Sequence, residues 1–358
     1  MTRTIGTSVY GLRAPIVKQG DDLVEIIVDT VLNSGLEIKD RDVLGITESI
    51  VARNQGNYVT IDEVAQEIKE MSNNAEVIEV YKPIYSRNRF AMILKAIARA
   101  AGKKVFIYMP EVDEVGNVVH NHPFTKLFYD DYYKSIVEAE GKECKILHEE
   151  YEFSLNQIEL FHAYFIDARM YFTTYNIPRR ENGCTLADIC ADKCEYGLYG
   201  SNKSSEELLK LFPSKSFAQA IVEHVQGEIY NATSKKISCF VFGDGAYRDP
   251  DSKIWEWADP VVCPAYTSDL EGTPNEIKIK NFADEKYKDL HGEELNVAIK
   301  REIKEVNSDL KGNMASQGTT PRRYVNLLGS LADLTTGSGS KGTPFVYIQG
   351  YFDSYADD

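Results

Sequence analysis

The sequence has no apolar run of membrane-spanning length, so a helical span is not expected. Its opening, Met1-Thr-Arg-Thr-Ile-Gly-Thr7, has no apolar core of the signal-peptide kind, and a cytoplasmic location is expected. Positive charge is in deficit. There are 40 Lys and Arg against 55 Asp and Glu, a formal net charge of -15. A field of that sign repels phosphate backbones and argues against extended nucleic-acid binding. It leaves room for a small anionic ligand held by a few local cations. It suits a site that collects divalent metal, and it equally suits plain solubility. Cysteine is sparse, with six residues and no CxxC pair. Reduced thiols are the expectation. Cys184, Cys190 and Cys194 could hold zinc only with a fourth ligand from elsewhere, and standard zinc spacings are missing. No long-range repeat and no heptad array is present.

What remains is a chain of 358 residues, 43% hydrophobic, long enough for two domains and a substantial core. Asp21 or Asp22 can cap a helix whose face is Leu23, Ile26, Ile27 and Val31. Asp42–Thr47 is a short buried strand, and Ile50–Ala52 extends it or begins a helix. Thr60-Ile-Asp-Glu63 is a capping box. Ser86 can cap a helix from Arg87 to Ala101, ended by Gly102, with a strand over Lys103–Met109. Strand, helix and strand in alternation predict mixed α/β structure. Asp113–Asn117 is a turn, and Phe161–Thr174 is a strand or a buried helix. Further expected elements are a helix over Phe217–Gln226, a central strand over Lys236–Phe242 and a charged helix over Glu293–Val306. A helix Tyr324–Leu334, a glycine-rich loop and a strand Phe345–Gln349 close the chain.

Several segments can carry chemistry. Gly243-Asp244-Gly245-Ala-Tyr-Arg248 sets a carboxylate just past a buried strand, as a magnesium or manganese ligand requires. Its flanking glycines let backbone approach a ligand. By spacing alone it is more often a turn in which Asp244 bonds its own backbone. Thr335–Pro344 gathers glycines, hydroxyls and Lys341, which can cradle phosphate through backbone N–H groups. It is not a P-loop, because the spacing and the helix–loop–strand order are wrong. Alone, such a loop is more often a flexible connector. Ser86-Arg87-Asn88-Arg89 puts cations in a first helical turn, against the helix dipole. A bound anion there would relieve the conflict, and so would solvent or acidic neighbours. His120-Asn-His122 reads as a solvated turn before Pro123. Arg179-Arg180 and Arg322-Arg323 read as surface charge. Asp42 and Glu48 flank one short strand and could add carboxylates to a shared site.

Taken in order, these blocks resemble the coenzyme F-420 γ-glutamyl ligase family. The stretch Gly11-Leu-Arg-Ala-Pro-Ile-Val-Lys18-Gln-Gly20-Asp21-Asp22-Leu23 resembles the family opening. Asp42–Gly56 resembles its second block, with Arg53 where the family commonly has lysine. Gly197-Leu-Tyr-Gly-Ser201-Asn202 resembles the block that ends in Ser-Asn. Phe242–Arg248 resembles an aspartate block, and Ala332–Val346 the closing glycine loop and strand. Two positions depart. Tyr199 stands where the family carries a metal-binding aspartate, and Gly245 stands where it carries threonine.

The resemblance implies an α+β fold of mixed sheets with flanking helices. Residues 1–80 and 181–358 would form the ligase-like domain, with 81–180 an elaborated insertion. It implies a homodimer acting on small anionic molecules, with no nucleic acid and no membrane. The implied activity joins L-glutamate to F-420-0 or a related carboxylate acceptor, using GTP and magnesium or manganese. Asp244 and Arg248 would be catalytic, and Asp244 with Glu48 would hold metal. Gly337, Ser338, Gly339 and Lys341 would bind phosphate. Arg87, Arg89, Ser201 and Asn202 would bind substrate, an arginine gripping a carboxylate as a bidentate fork. The alternative on the same fold is a binding protein for small anions or nucleotides, non-catalytic or of different specificity.

Overall fold

The computed structural model describes residues 4–81, 89–109, 123–148, 160–164, 183–248, 255–257, 261–274, 278–305, 323–337 and 339–357. The first half runs β1 (Ser8–Leu12), α1 (Leu23–Leu32), β2 (Val43–Thr47), α2 (Glu48–Gln55), β3 (Tyr58–Thr60), α3 (Ile61–Met71), β4 (Val77–Tyr81), α4 (Arg89–Ala100), β5 (Lys104–Tyr108), α5 (Pro123–Ala139), β6 (Glu143–Leu147) and β7 (Leu160–Tyr164). The second runs β8 (Gly183–Thr185), β9 (Asn202–Ser205), β10 (Leu208–Lys210), α6 (Lys215–Thr233), β11 (Ser238–Gly243), β12 (Ala246–Arg248), β13 (Trp255–Trp257), β14 (Val262–Tyr266), α7 (Ile279–Asn281), α8 (Gly292–Glu305), α9 (Tyr324–Thr335) and β15 (Phe345–Gln349). This is the α+β class expected. The chain divides into two compact units. One comprises Met1–Val51, Ser216–Gly243 and Pro260–Asp358, and the other Ala52–Lys215 with Asp244–Asp259. The stretch 81–180 falls within the second.

The first unit is built on a five-stranded mixed sheet of order β1-β15-β2-β11-β14. β2 and β11 run parallel, and β15 lies antiparallel against β2, so the segments Asp42–Thr47 and Phe345–Gln349 share one sheet. These strands read as continuous apolar runs because both faces are covered. Leu44, Ile46, Cys239, Val241, Phe345 and Tyr347 face α1 and α6. Val43, Phe240, Phe242, Val346 and Ile348 face α9. Each fully buried side chain of this size contributes about 1.5–3 kcal/mol. α1 starts where Asp22 accepts the N–H of Glu25, and it buries Leu23, Ile27 and Val31.

The second unit carries a parallel sheet of order β6-β5-β4-β7-β8. Successive strands step outward from β4 to β5 and β6. The order then reverses, with β7 on the other side of β4. In open parallel sheets, ligands bind outside the carboxyl ends of strands at such a reversal. α3 opens with the expected capping box, Thr60 and Glu63 bonding each other's backbone N–H. α4 is buried along almost its whole length, and Gly102 follows it. A Cβ at Gly102 would lie 2.9 Å from the Cα of Glu76, which explains the glycine there. The guanidinium of Arg99 ties the last turn of α4 to Asp62, Glu207 and Glu140 at 2.7, 3.0 and 3.1 Å.

Candidate functional site

In the first unit the glycine-rich loop joins α9 to β15 and is closed on itself. The N–H of Thr343 donates to Gly337 O at 2.9 Å, and the Thr336 hydroxyl donates to Thr343 O at 2.7 Å. The Gly342 N–H donates to Gly339 O at 3.2 Å, with Gly342 at φ +60. The stem of Lys341 folds over Gly337, where an added Cβ would sit 2.5 Å from Lys341 Cδ. Gly337 therefore makes room for the lysine. Beside the loop is a cleft of about 610 Å³ lined by Arg13, Thr30, Asn33, Ser34, Lys341 and Thr343. That volume and its hydroxyl, amide and cationic lining suit a small polar molecule with negative charge. Arg13 carries no signal of its own in the sequence. It follows β1, whose register places Leu12 opposite Phe345, and this pairing brings it to the loop.

Also in this unit, Glu48 is 5% exposed and starts α2 directly after β2. Its stem lies across the end of β11, for a Cβ at Gly243 would come within 2.0 Å of Glu48 Cγ. β2 and β11 end side by side because Thr47 pairs with Phe242 in parallel register.

In the second unit four residues singled out from the sequence meet. Arg89, the first residue of α4, donates from Nε to Ser201 O at 2.7 Å. Its Nη2 donates to Asn202 Oδ1 at 3.2 Å and to the backbone oxygen of Asp244 at 3.3 Å. Ser201 is fully buried and bonds Leu198 O through its hydroxyl at 2.7 Å. Before it lies the 3-10 turn Gly197–Gly200. Gly197 has φ +51, and a Cβ there would lie 2.4–2.7 Å from three backbone carbonyl oxygens. A Cβ at Gly200 would strike the Phe212 ring at 2.7 Å. Tyr199, between them, is fully buried, so packing accounts for this residue. The side chain of Asp244 is exposed, while Gly245 beside it is buried.

Arg248 lies in β12, and its side chain is outside what the structure describes. Ser86, Arg87, Asp113–Asn117, His120, His122, Arg179, Arg180, Arg322 and Ser338 lie outside the described residues. Cys184, Cys190 and Cys194 are buried. Burial pushes the Cys190 thiol up, and the Glu67 carboxylate beside it adds to the shift, which opposes the thiolate that zinc needs. Among the described residues no group of three or more His, Cys, Asp or Glu could hold a metal ion. An all-protein metal cage is therefore not present among them. The exposed carboxylate of Asp244 is a single hard-oxygen group of the kind magnesium or manganese takes. Among the described residues no helix is long and apolar enough to cross a membrane.

The fold and these two clusters define an α+β protein with a mixed-sheet unit carrying a closed glycine loop and a parallel-sheet unit carrying an arginine-pinned turn. A model of the F420-0:Gamma-glutamyl ligase family matches residues 11–350, and the chain belongs to that family. Over 61 residues it is 31% identical to the Coenzyme F420:L-glutamate ligase of Methanothermobacter thermautotrophicus. That match covers 17% of this chain and 24% of the relative, so the chain spans about a quarter of the length of the curated relative it matches.

Proposed function

We propose that the protein is an amide ligase that joins L-glutamate to the deazaflavin coenzyme F-420-0 or to a related carboxylate acceptor. The observation that carries this reading is the family match over residues 11–350. A nucleoside triphosphate, GTP by family resemblance, transfers its terminal phosphoryl group to the acceptor carboxylate. The acyl phosphate and nucleoside diphosphate result. The glutamate amine then attacks the acyl carbon, phosphate leaves with the bonding pair, and the nitrogen loses a proton. No covalent side-chain nucleophile is required.

In this reading Lys341 and the tip of the glycine loop take phosphate, with Arg13 as a second cation in the same cleft. Their charge offsets the negative charge that gathers on transferring oxygens. Gly337 and Gly339 serve through the shape of the loop. Asp244 holds magnesium or manganese, which neutralises phosphate charge when bound. Asn202 borders the substrate, with Ser201 a buried support beneath it, and the protein works as a homodimer in the cytoplasm.

Tyr199 favours a second reading, a nucleotide-binding protein without ligase chemistry. It is fully buried at the position where the family resemblance places a metal-binding aspartate. A coupled assay separates the two readings. Amide formation with nucleotide cleavage supports the ligase. Nucleotide binding with neither reaction, across glutamate and candidate acceptors, supports the binding protein.

A further inference from the structure

We propose that the cleft beside the glycine loop also holds the amino acid, with a carboxylate on Arg13 and the ammonium at the carboxyl end of α1. This deepens the ligase reading and rests on it for the identity of that amino acid, L-glutamate.

The cleft is lined by two unlike sets of groups. The first comes from β1 and the loop. Leu12 pairs with Phe345, and the Ala14 N–H donates to Gly342 O at 3.2 Å. The backbone on each side of Arg13 is thereby stitched to the segment that carries Lys341. Gly337 sets the stem of Lys341, which folds over it. Both cations line the cleft, and neither has an ion-pair or hydrogen-bond partner among the described residues. Two cations in one cleft draw in negative charge from a ligand.

The second set is the end of α1, and it has the opposite sign. Thr30, Asn33 and Ser34 line the cleft there. The hydroxyls of Thr30 and Ser34 donate to Ile26 O and Val31 O, each at 2.7 Å. A hydroxyl has a single hydrogen, so these two present oxygen lone pairs to a ligand. Asn33 spends its backbone N–H and its Nδ2 on Asp29 O, at 3.0 and 2.8 Å. The Ser34 N–H goes to Val31 O at 3.2 Å. Among the described residues no hydrogen bond reaches the Thr30 carbonyl between them. A helix carboxyl end carries roughly half a negative charge. α1 has no basic residue in its last turn to offset it.

A purely anionic ligand matches the first set and is repelled by the second. An α-amino acid matches both, with carboxylate to the cations and ammonium to the acceptors. No aromatic residue is among the described residues that line the cleft, so nothing there stacks on a nucleotide base. The volume of about 610 Å³ leaves room for a phosphoryl group beside the amino acid. The planar Arg13 fork takes the carboxylate as a bidentate pair and has donors to spare. Lys341 stays with phosphate, and the amine then lies in the cleft where the acyl phosphate forms.

Calorimetric titration of the full-length protein, with and without GDP and manganese, compares L-glutamate, glutarate and inorganic phosphate. Glutarate keeps both carboxylates and lacks the ammonium. The variants are Arg13→Gln and Asn33→Lys. Both side chains are exposed, and a lysine at a helix carboxyl end suits the dipole, so both variants should fold. The lysine puts a protein ammonium where that of the ligand would sit. We expect L-glutamate to bind wild type about tenfold or more tighter than glutarate, the worth of one charge-assisted hydrogen bond. Arg13→Gln should lose about tenfold or more for both ligands. Asn33→Lys should lose about tenfold for L-glutamate and hold glutarate at least as well as wild type. The subsite is overturned if wild type binds no L-glutamate, binds glutarate equally well or binds phosphate alone, or if either variant keeps wild-type affinity for L-glutamate. An amide-forming assay run beside the titrations keeps the two readings apart. Glutamyl product with an unchanged glutamate KM in Arg13→Gln leaves the ligase and removes the subsite. The expected binding pattern without product removes the ligase and leaves an amino-acid site.

Discussion

Gly243→Ala offers a quantitative test of the contact between β11 and Glu48. The new Cβ would lie 2.0 Å from Glu48 Cγ, 3.0 Å from its Cβ and 3.2 Å from its Cδ. Gly243 is not among the residues with positive φ, so the cost comes from contact and not from backbone conformation. Overpacking of this kind costs about 1–3 kcal/mol. Replacing glycine at a compatible position returns about 0.4–1 kcal/mol through the unfolded chain. The net expectation is a loss of roughly 1–2 kcal/mol. In a Glu48→Ala background Cγ and Cδ are gone, and of the three nearest contacts the 3.0 Å one to Cβ remains. A few tenths of an ångström of relaxation relieves that contact. The same glycine substitution should then be close to neutral, giving a coupling of about 1–2 kcal/mol between the two sites. Urea unfolding of the four proteins measures it as shifts in midpoint at constant slope. Additive effects would refute the contact and the placement of Glu48 across the end of β11.

Four further outcomes are expected. Lys341→Ala should weaken nucleotide binding by about tenfold or more, the worth of one charge-assisted hydrogen bond, and equal affinity in a titration would remove Lys341 from the site. Thr60→Ala deletes the capping-box hydroxyl and should cost about 1 kcal/mol, read by urea unfolding, with no change contradicting the cap. Gly197→Ala should destabilise by more than about 2 kcal/mol, because left-handed strain adds to overpacking, and a variant as stable as wild type would contradict the tight turn before Ser201. Burial raises the Asp42 carboxyl above its ordinary value, outweighing bonds from Gln349, the Lys39 N–H and Tyr347. The folded state then holds that proton more tightly than the unfolded one, so this contribution to stability falls as pH rises from the ordinary carboxylate range through the folded value. Asp42→Asn should lack that slope, and a wild-type advantage that grows with pH would contradict the assignment.

The legible parts of the fold were those with strong local signals. The cap at Asp22, the capping box at Thr60 and the buried runs of β2, β11 and β15 each rest on neighbouring residues, and each stands as expected. Ile50–Ala52 proved helical, because Glu48 begins a turn as soon as β2 ends. Strands of three residues, such as β3, β8, β10, β12 and β13, are too short to show a period, and only pairing creates them. The site was legible in the same uneven way. Arg89 and Asp244 stood out by type and setting, and Ser201 and Asn202 through the family resemblance. Their meeting did not, because hydrogen bonds that span more than one hundred positions leave no trace in local spacing. Arg13 was hidden for a like reason, since only the antiparallel register of β1 and β15 brings it to the glycine loop.

The central claim is that this chain forms an amide bond to glutamate at the expense of a nucleotide. Purified protein incubated with GTP, manganese, glutamate and the F-420-0 acceptor, and analysed by mass spectrometry with parallel phosphate release, tests it most directly. The account predicts an acceptor heavier by one glutamyl residue, formed one for one with phosphate and lost when glutamate is omitted. Nucleotide binding without any glutamyl product, from F-420-0 or related carboxylate acceptors, would contradict it.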